Sequence, residues 1–378
     1  MTPGTPATTR STQAGTGHPA QPTGPTDPGG VGTGGRDNRS AIAARRRRRL
    51  IGLAALLLAL VAAAVASIAV GAKPIPLGAV WHALATPTGT ADDIVVRSLR
   101  IPRTLLGVVA GIALGVAGSL MQGHTRNPLA DPGLLGVTQG ASFAAVLSIF
   151  ALGLTGVYSF VWFAFLGAMI AAVLVFLLGS AGSGGGGGPT PVTLALAGAA
   201  MSALLYALTS VVVLLDQQSL ETYRFWQVGS IAGRDQGVLG QVLPFLVVGL
   251  VLALVNAPGL NALSLGEDVA RSLGQPVLRT RVIGLAAVTL LTGASVAACG
   301  PLAFVGLVVP HVARAITGPD YRWLLPYAGL IGAVLLLLAD VLGRVVARPG
   351  ELQVGIMLAA IGAPFFIVLI RRKRLVRL

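Results

Sequence analysis

Charged side chains are scarce in this sequence. Asp, Glu, Lys and Arg make up 11% of its 378 residues, whereas soluble domains carry about 25%. The mean hydropathy is +0.80. A chain with so few polar side chains cannot cover a water-facing surface, which excludes an ordinary soluble globule and predicts a protein solvated by a lipid bilayer.

Cysteine clusters, phosphate-binding loops and metal-ligand spacings are also missing. Cys299 is the single cysteine, which excludes an intrachain disulfide and a zinc site built from several cysteines. There is no GxxxxGK[ST] pattern, so this chain cannot hydrolyse ATP as P-loop proteins do. His311 has no second His or Cys at ligand spacing, which favours a capping or packing role over a metal ligand. We therefore expect no metal site, no cofactor and no catalytic residue.

Long apolar runs are what the sequence does contain. A membrane-spanning helix needs about 20 mostly apolar residues, and continuous Leu, Val, Ala and Gly runs favour helices over the alternating strands of a barrel. The 51 glycines fit helices that pack closely in lipid. We predict an all-α, polytopic membrane protein of about ten spans, at residues 50–72, 102–122, 135–154, 158–179, 192–215, 237–256, 281–298, 303–317, 324–342 and 353–370.

The segments between the predicted spans differ in character. Residues 73–100 suit an outer loop with a short surface helix, and residues 216–235 a second outer loop. Residues 258–276 are polar and are expected in the cytoplasm.

The formal net charge of +14 comes largely from arginines at the edges of the membrane domain. They lie at 45–49, before the first span, and at 371–377, after the last. This is the positive-inside pattern, so both termini are expected in the cytoplasm. Nucleic-acid binding is disfavoured because no aromatic platform accompanies the arginines. Residues 1–44, rich in Pro, Gly and Thr, are expected to form a disordered cytoplasmic tail, and residues 45–378 the ten-helix domain.

Four motifs carry a resemblance to a known family. The first is RIPR at 100–103, followed by GIALGVAG at 111–118, Gln122 and NPLADPGLLGV at 127–137. The second is LGEDVARSLG at 265–274, and the third is GPLAFVGLVVPH at 300–311 with Arg314. The last is LLLAD at 336–340 with Arg344, GELQVG at 350–355 and GAPFF at 362–366. In this order, from about Leu50 to the C-terminus, they resemble the FecCD-type permeases of ATP-binding-cassette (ABC) importers for iron siderophores, haem and cobalamin.

The resemblance implies a type II ABC importer permease fold and a segment that docks into a separate ATPase. The matching residues are Glu267, Asp268, Ala270, Arg271, Leu273 and Gly274. Their position between the sixth and seventh spans is on the predicted cytoplasmic side, and Gly266 and Gly274 suit the ends of a short helix with a charged face. The alternative is an ordinary solvated loop.

The resemblance further implies an inner gate after the second span, at Asn127, Pro128 and Leu129, with Leu129 closing the pore by apolar contact across a dimer axis. A simple helix stop is the alternative. A second gate segment is implied at 190–192, where the sequence departs from the family pattern through its glycine run and Pro191. The register of this second gate therefore stays open.

On the outer face, family members use arginines to bind glutamates of a substrate-binding protein. Arg100 and Arg344 match these positions, with Arg103 as a second choice. A guanidinium group suits bidentate binding of a carboxylate. The alternative for each is an arginine that snorkels to the membrane interface. Asp340, four residues before Arg344, is expected to hold that arginine in place.

The function implied is that of a permease subunit that imports a ferric siderophore across the cytoplasmic membrane. Its implied partners are ABC ATPase subunits, an extracytoplasmic substrate-binding protein and a second permease chain, in a homodimer or heterodimer. Cobalamin or haem as cargo is the first alternative. An ion-coupled secondary carrier is another, although ionisable residues form no chain across the spans. A non-transporting membrane scaffold is the third.

Overall fold

Helices form nearly all of the described chain. The computed structural model describes residues 34–71, 74–181, 189–234 and 236–371, and the side chains of 34–42, 157 and 370 are left out of the description. The helices are α1 Gly34–Ala69, α2 Leu77–Ala85, α3 Ala91–Ile94, α4 Ile101–Thr125, α5 Val137–Leu152, α6 Val157–Ala181, α7 Pro191–Leu215, α8 Gln217–Gln227, α9 Gln236–Leu263, α10 Glu267–Ser272, α11 Val277–Cys299, α12 Val305–Thr317, α13 Tyr321–Val346 and α14 Val354–Arg371. A π-helical turn, Val95–Arg100, joins α3 to α4, and a 3-10 turn, Pro132–Leu135, precedes α5.

The chain divides into two units at Arg48. In the first, the described residues form the beginning of α1. All helices from α2 onward belong to the second unit, which begins at Arg49. The predicted tail, 1–44, falls mostly on residues 1–33, which lie outside the described residues, and it stays a prediction.

Seven helices in the described chain are long and apolar enough to cross a membrane. They comprise α1 from Ala43, the continuous segment Ala91–Thr125, and helices α6, α7, α9, α11 and α13. Three shorter apolar helices, α5, α12 and α14, lie where three further spans were predicted. Polytopic, all-helical architecture is therefore confirmed for the described residues, whereas the count of ten spans is not.

Glycines allow α4 to contact its neighbours backbone to backbone. A methyl group added at Gly111 would overlap the backbone of α13 at Ala333, and one at Gly115 would overlap the carbonyl of Ala328. At Gly118 the overlap would be with the backbone of Gly306, at the start of α12. Small residues spaced by three or four positions are what permits such close approach in lipid. Helix α4 is thus the centre of the core.

Polar contacts define two ends of the bundle. At the first, called here the Arg49 end, Arg49 Nη2 donates to the Thr317 carbonyl oxygen at 2.7 Å, and Asn261 Nδ2 donates to Asp320 Oδ1 at 2.8 Å. These contacts bring the C-termini of α9 and α12 to the N-terminus of α13. At the opposite end, called the Arg344 end, Arg344 Nη1 donates to carbonyl oxygens near the C-terminus of α1.

Two features differ from the sequence predictions. Residues 217–227, predicted as part of an outer loop, form helix α8. Asp216 caps it by accepting from the Ser219 N–H at 2.7 Å, and hydrogen bonding to Ser219 lowers the pKa of Asp216. Helix α9 also continues seven residues past the predicted end at 256, through Pro258. Proline is tolerated inside membrane helices because neighbouring groups satisfy the freed carbonyl.

Candidate functional site

Helix α10 is a short, exposed segment between α9 and α11. It is flanked by Gly266 at φ 116° and Gly274 at φ 76°, backbone conformations that favour glycine. The side chain of Asp268 is fully exposed and that of Arg271 is 53% exposed. Leu273 is exposed as well. The predicted short helix with glycine ends is therefore present, and it exposes both charged and apolar side chains.

The opposite face of α10 attaches it to the bundle. Ala270 is fully buried in a small cluster with Leu263 of α9 and Val277 of α11. Glu267 pairs with Arg281 of α11 and, at 3.3 Å, with Arg271. Helix α10 is thus held at one apolar and one ionic contact, while its other residues face outward.

The loop after α4 holds the predicted gate residues. Helix α4 ends at Arg126, which adopts the left-handed conformation at φ 47°. Asn127 Oδ1 then accepts from the Leu129 N–H at 2.9 Å, which closes a tight turn around Pro128. Leu129 is 43% exposed. An apolar side chain is therefore exposed at this turn.

This turn lies close to the segment that leads into α10. Arg126 Nη2 donates to the Leu263 carbonyl oxygen at 2.8 Å. Just before it, His124 Nε2 lies 3.0 Å from Asn256 Nδ2 of α9, and both atoms crowd Gly284 of α11. The C-terminus of α4 is thus joined by side chains to α9 and α11.

The second predicted gate segment, 190–192, forms the start of α7. Thr190 and Thr193 cap each other reciprocally, and Pro191 occupies the first helical turn. Val192 is 67% exposed. The glycine run at 184–188 lies outside the described residues. The segment is therefore a firmly capped helix start in spite of its departure from the family pattern.

At the Arg344 end two of the three predicted docking arginines, Arg100 and Arg344, are buried. Arg100 is 7% exposed and donates to the carbonyl oxygens of Ile68 and Ala69 at 2.5 and 2.9 Å. Arg344 is 1% exposed and donates to the carbonyl oxygens of Ser67 and Val70, both at 2.9 Å. The last carbonyls of a helix have no partner within it, so both arginines satisfy the C-terminal end of α1.

Arg103 is nearer the surface than the other two. Its Nη2 lies 2.8 Å from Asp340 Oδ1, and its Nη1 lies 2.7 Å from Glu351 Oε2, whose side chain is 37% exposed. Asp340 also pairs with Arg344 at 2.8 Å, as expected from their spacing. One buried carboxylate therefore holds two guanidinium groups.

Sequence reasoning did not assign roles to several buried polar residues. Arg281 and the His124–Asn256 pair are buried and join helices at the Arg49 end, as the exposed Arg126 also does. Arg314, 2% exposed, donates to Gln122 Oε1 at 3.3 Å. An ionisable residue within an apolar helix is itself a signal, since it needs a buried partner. No group of three possible metal ligands exists in the described chain, and His311 Nδ1 donates to the Leu307 carbonyl oxygen at 2.9 Å.

Comparison with known proteins connects this arrangement to one family. A model described as the FecCD transport family matches residues 57–372. The chain belongs to the FecCD transport family. It is 48% identical over 308 residues to the ferric enterobactin transport system permease protein FepD of Escherichia coli K12, covering 81% of this chain and 91% of that protein.

Two further relatives extend the comparison. The hemin transport system permease protein HmuU of Yersinia pestis is 39% identical over 313 residues, which cover 82% of this chain and 91% of HmuU. A solved structure described as an inward-facing, metal-chelate type ABC transporter matches with a TM-score of 0.74 at 30% identity, covering 85% of this chain and 98% of that one. Members of the family are thus transport permeases, and the fold of the described residues is that of an ABC transporter permease.

Proposed function

We propose that this chain is the transmembrane permease subunit of an ATP-driven importer that carries a ferric siderophore across the cytoplasmic membrane. The observation that carries the proposal is the 48% identity to a ferric enterobactin permease over 91% of that protein's length. Haem is the second candidate cargo, favoured by the similarity to HmuU.

The proposed chain crosses the membrane ten times, with the Arg49 end and both termini in the cytoplasm. The count adds the shorter helices α5, α12 and α14 to the seven long spans. Helix α12 has 13 residues, about 20 Å of helix, so we infer that α12 and the irregular residues before it complete one crossing. The arginines at 45–49 support this orientation.

At the cytoplasmic face, α10 is proposed to dock on a separate ATPase subunit through Glu267, Asp268, Ala270, Arg271, Leu273 and Gly274. Its exposed Asp268, Arg271 and Leu273 support this role. Asn127, Pro128 and Leu129 are proposed as the inner gate, with Leu129 meeting its counterpart from a second permease chain.

At the outer face, we place the docking of the substrate-binding protein at the Arg344 end. Arg103 is 12% exposed and paired with the exposed Glu351, so it is the proposed contact residue. Arg100 and Arg344 then support this surface from beneath, because their donors hold the end of α1.

The proposal is tested by uptake of radiolabelled iron in a strain that lacks this chain and is complemented with it. Ferric siderophores are supplied one at a time, and labelled haem and labelled cobalamin are supplied in parallel. We expect complementation to restore uptake of a ferric siderophore, and to do so when the membrane potential is collapsed but ATP is kept. If only haem or cobalamin uptake is restored, that molecule and not a ferric siderophore is the cargo. If uptake stops when the membrane potential is collapsed, the protein is an ion-coupled carrier.

A further inference from the structure

Arg281 connects the proposed coupling helix to the proposed second gate segment. It lies in the second turn of α11 and is 6% exposed. Its guanidinium group donates in two directions, through Nη2 to Glu267 Oε1 in the first turn of α10, and through Nη1 to the Pro189 carbonyl oxygen at 2.7 Å. Pro189 immediately precedes Thr190, the N-cap of α7. One side chain therefore bridges α10, α11 and the start of α7.

The burial of Arg281 distinguishes this contact from the other ion pair of α10. Arg271, 53% exposed, pairs with Glu267 at 3.3 Å and with Asp268 at 3.7 Å, and such exposed pairs contribute little because water competes for both partners. The side chain of Arg281 is only 7% exposed. A buried guanidinium group also binds its two partners in fixed directions. Water has little access to the buried Arg281 side chain, so if Glu267 moves, we expect Arg281 to move with it.

The acceptor on the far side of Arg281 is equally well fixed. Pro189 is buried. The reciprocal caps between Thr190 and Thr193, with Thr193 N–H donating to Thr190 Oγ1 at 3.2 Å, tie the residues after Pro189 into the first turn of α7. A displacement of the Pro189 carbonyl therefore moves the beginning of α7, including the exposed Val192, as one piece.

We propose that Arg281 is a positioning residue that transmits the displacement of α10 to the start of α7, and so connects the closure of the ATPase to the residues at 190–192. This inference rests on the proposed function, since it requires α10 to be the segment that the ATPase moves. Because Arg281 is 6% exposed, its proposed role is to position α10 and α7 and not to bind the ATPase or the cargo directly. Its loss should uncouple ATP hydrolysis from the movement of α7.

The test uses the complete transporter, with its ATPase and binding protein, in proteoliposomes. Val192→Cys introduces a thiol at the start of α7, and Cys299 is fully buried, so a water-soluble maleimide reports on position 192. The labelling rate is measured with and without a nonhydrolysable ATP analogue, and cargo imported per ATP hydrolysed is measured without the label. Arg281→Gln is compared with Arg279→Gln, which removes an exposed arginine two residues earlier on the same helix.

We expect the parent and Arg279→Gln to show a nucleotide-dependent change in labelling of about fivefold or more. In Arg281→Gln this change should be lost, and cargo per ATP should fall by a similar factor, while co-purification with the ATPase and the rate of ATP hydrolysis are kept. If Arg281→Gln does not insert, Arg281→Lys provides the same test, because an ammonium group cannot reach both partners in the way the planar fork does.

The inference is overturned if an inserted Arg281 variant retains both the nucleotide-dependent labelling and the parental cargo per ATP. A parent chain that neither co-purifies with an ATPase nor supports ATP-dependent uptake would instead overturn the proposed function, and the inference with it. Measurements on the parent protein therefore show whether the proposed function fails or only the role of Arg281.

Discussion

Arg344 is the residue whose position in the structure most changes the interpretation of the proposed docking surface. It is 1% exposed, pairs with the buried Asp340 at 2.8 Å and donates to the last carbonyls of α1. Without Arg344, Asp340 would keep Arg103 as its partner, but buried carbonyl oxygens of α1 would lose their donor, and an unsatisfied buried acceptor costs about 1–3 kcal/mol. Arg344 is thus expected to matter first for folding.

We predict that Arg344→Ala lowers the stability of the purified permease by about 1–3 kcal/mol, because the carbonyl oxygens of Ser67 and Val70 lose their donor and Asp340 keeps only Arg103 as a partner. The measurement is thermal unfolding in detergent. Arg97→Ala, which removes an exposed arginine at the same end, is the control and should leave stability unchanged. Normal stability of Arg344→Ala combined with lost stimulation by the binding protein would assign Arg344 to docking instead.

Arg103→Glu is predicted to give the complementary result at the docking surface. A reversed charge next to Glu351 repels the carboxylates of a binding protein, so the stimulation of ATPase activity by that protein should fall several-fold. Basal ATPase activity should be kept. Since Arg103 also contacts Asp340, Glu351→Gln serves as a second variant that leaves this contact in place. Stimulation should be kept in Glu351→Gln, and full stimulation of Arg103→Glu as well would place docking elsewhere.

At the scale of single elements, α10 was the most predictable part of the site. Gly266 and Gly274 marked its ends and its charges marked its exposure, because both features are local. The partners of Arg281 and Arg344 were not predictable, since Pro189 and Ser67 are 92 and 277 residues away from these arginines in the chain. Helix α8 was missed because its apolar residues are few, and Trp226 is buried only by tertiary packing.

We predict that Arg271→Glu weakens the association of α10 with the ATPase several-fold, because a charge facing the partner is reversed. The measurement is co-purification of the ATPase subunit, with membrane insertion checked by yield. Arg224→Glu on α8 is the matched control, since the Arg224 and Arg271 side chains are both 53% exposed. If Arg271→Glu and the parent co-purify with equal amounts of the ATPase subunit, α10 does not form the interface with the ATPase.

The contact of α4 with α13 gives a second prediction at this scale. Gly115→Val places methyl groups against the Ala328 carbonyl, where backbone cannot give way, and overpacking of this kind costs about 1–3 kcal/mol or more. The yield of folded protein should therefore fall sharply. Gly240→Val on α9, where nothing lies within 4 Å of an added Cβ, is the control. Equal yields of the two variants would contradict this packing.

At the scale of the whole molecule, the proposed function requires the helix bundle to have one orientation in the membrane, with α10 on the cytoplasmic side. We predict that a thiol introduced by Asp268→Cys at the Arg49 end is labelled only from the cytoplasmic side. A thiol introduced by Glu221→Cys on α8 should be labelled only from outside. The measurement is labelling of right-side-out and inverted vesicles with an impermeant maleimide, with Cys299 buried in both. Labelling of position 268 only from outside would contradict the proposed function.

The part of the architecture that could be predicted from the sequence is the set of helices that long apolar runs indicate. Each predicted span overlaps a helix of the described chain, and seven of these helices are long and apolar enough to cross a membrane. Helix α12, with 13 residues, starts next to α4, where the backbone of Gly306 lies against Gly118. Such long-range contacts are absent from any local pattern.

The glycine contacts of α4 also restrict how the transporter can change shape. Two helices whose backbones touch cannot slip lengthwise or roll against each other without steric collision. We therefore expect helices α4, α12 and α13 to move as one rigid body. We expect any hinge to lie outside this block.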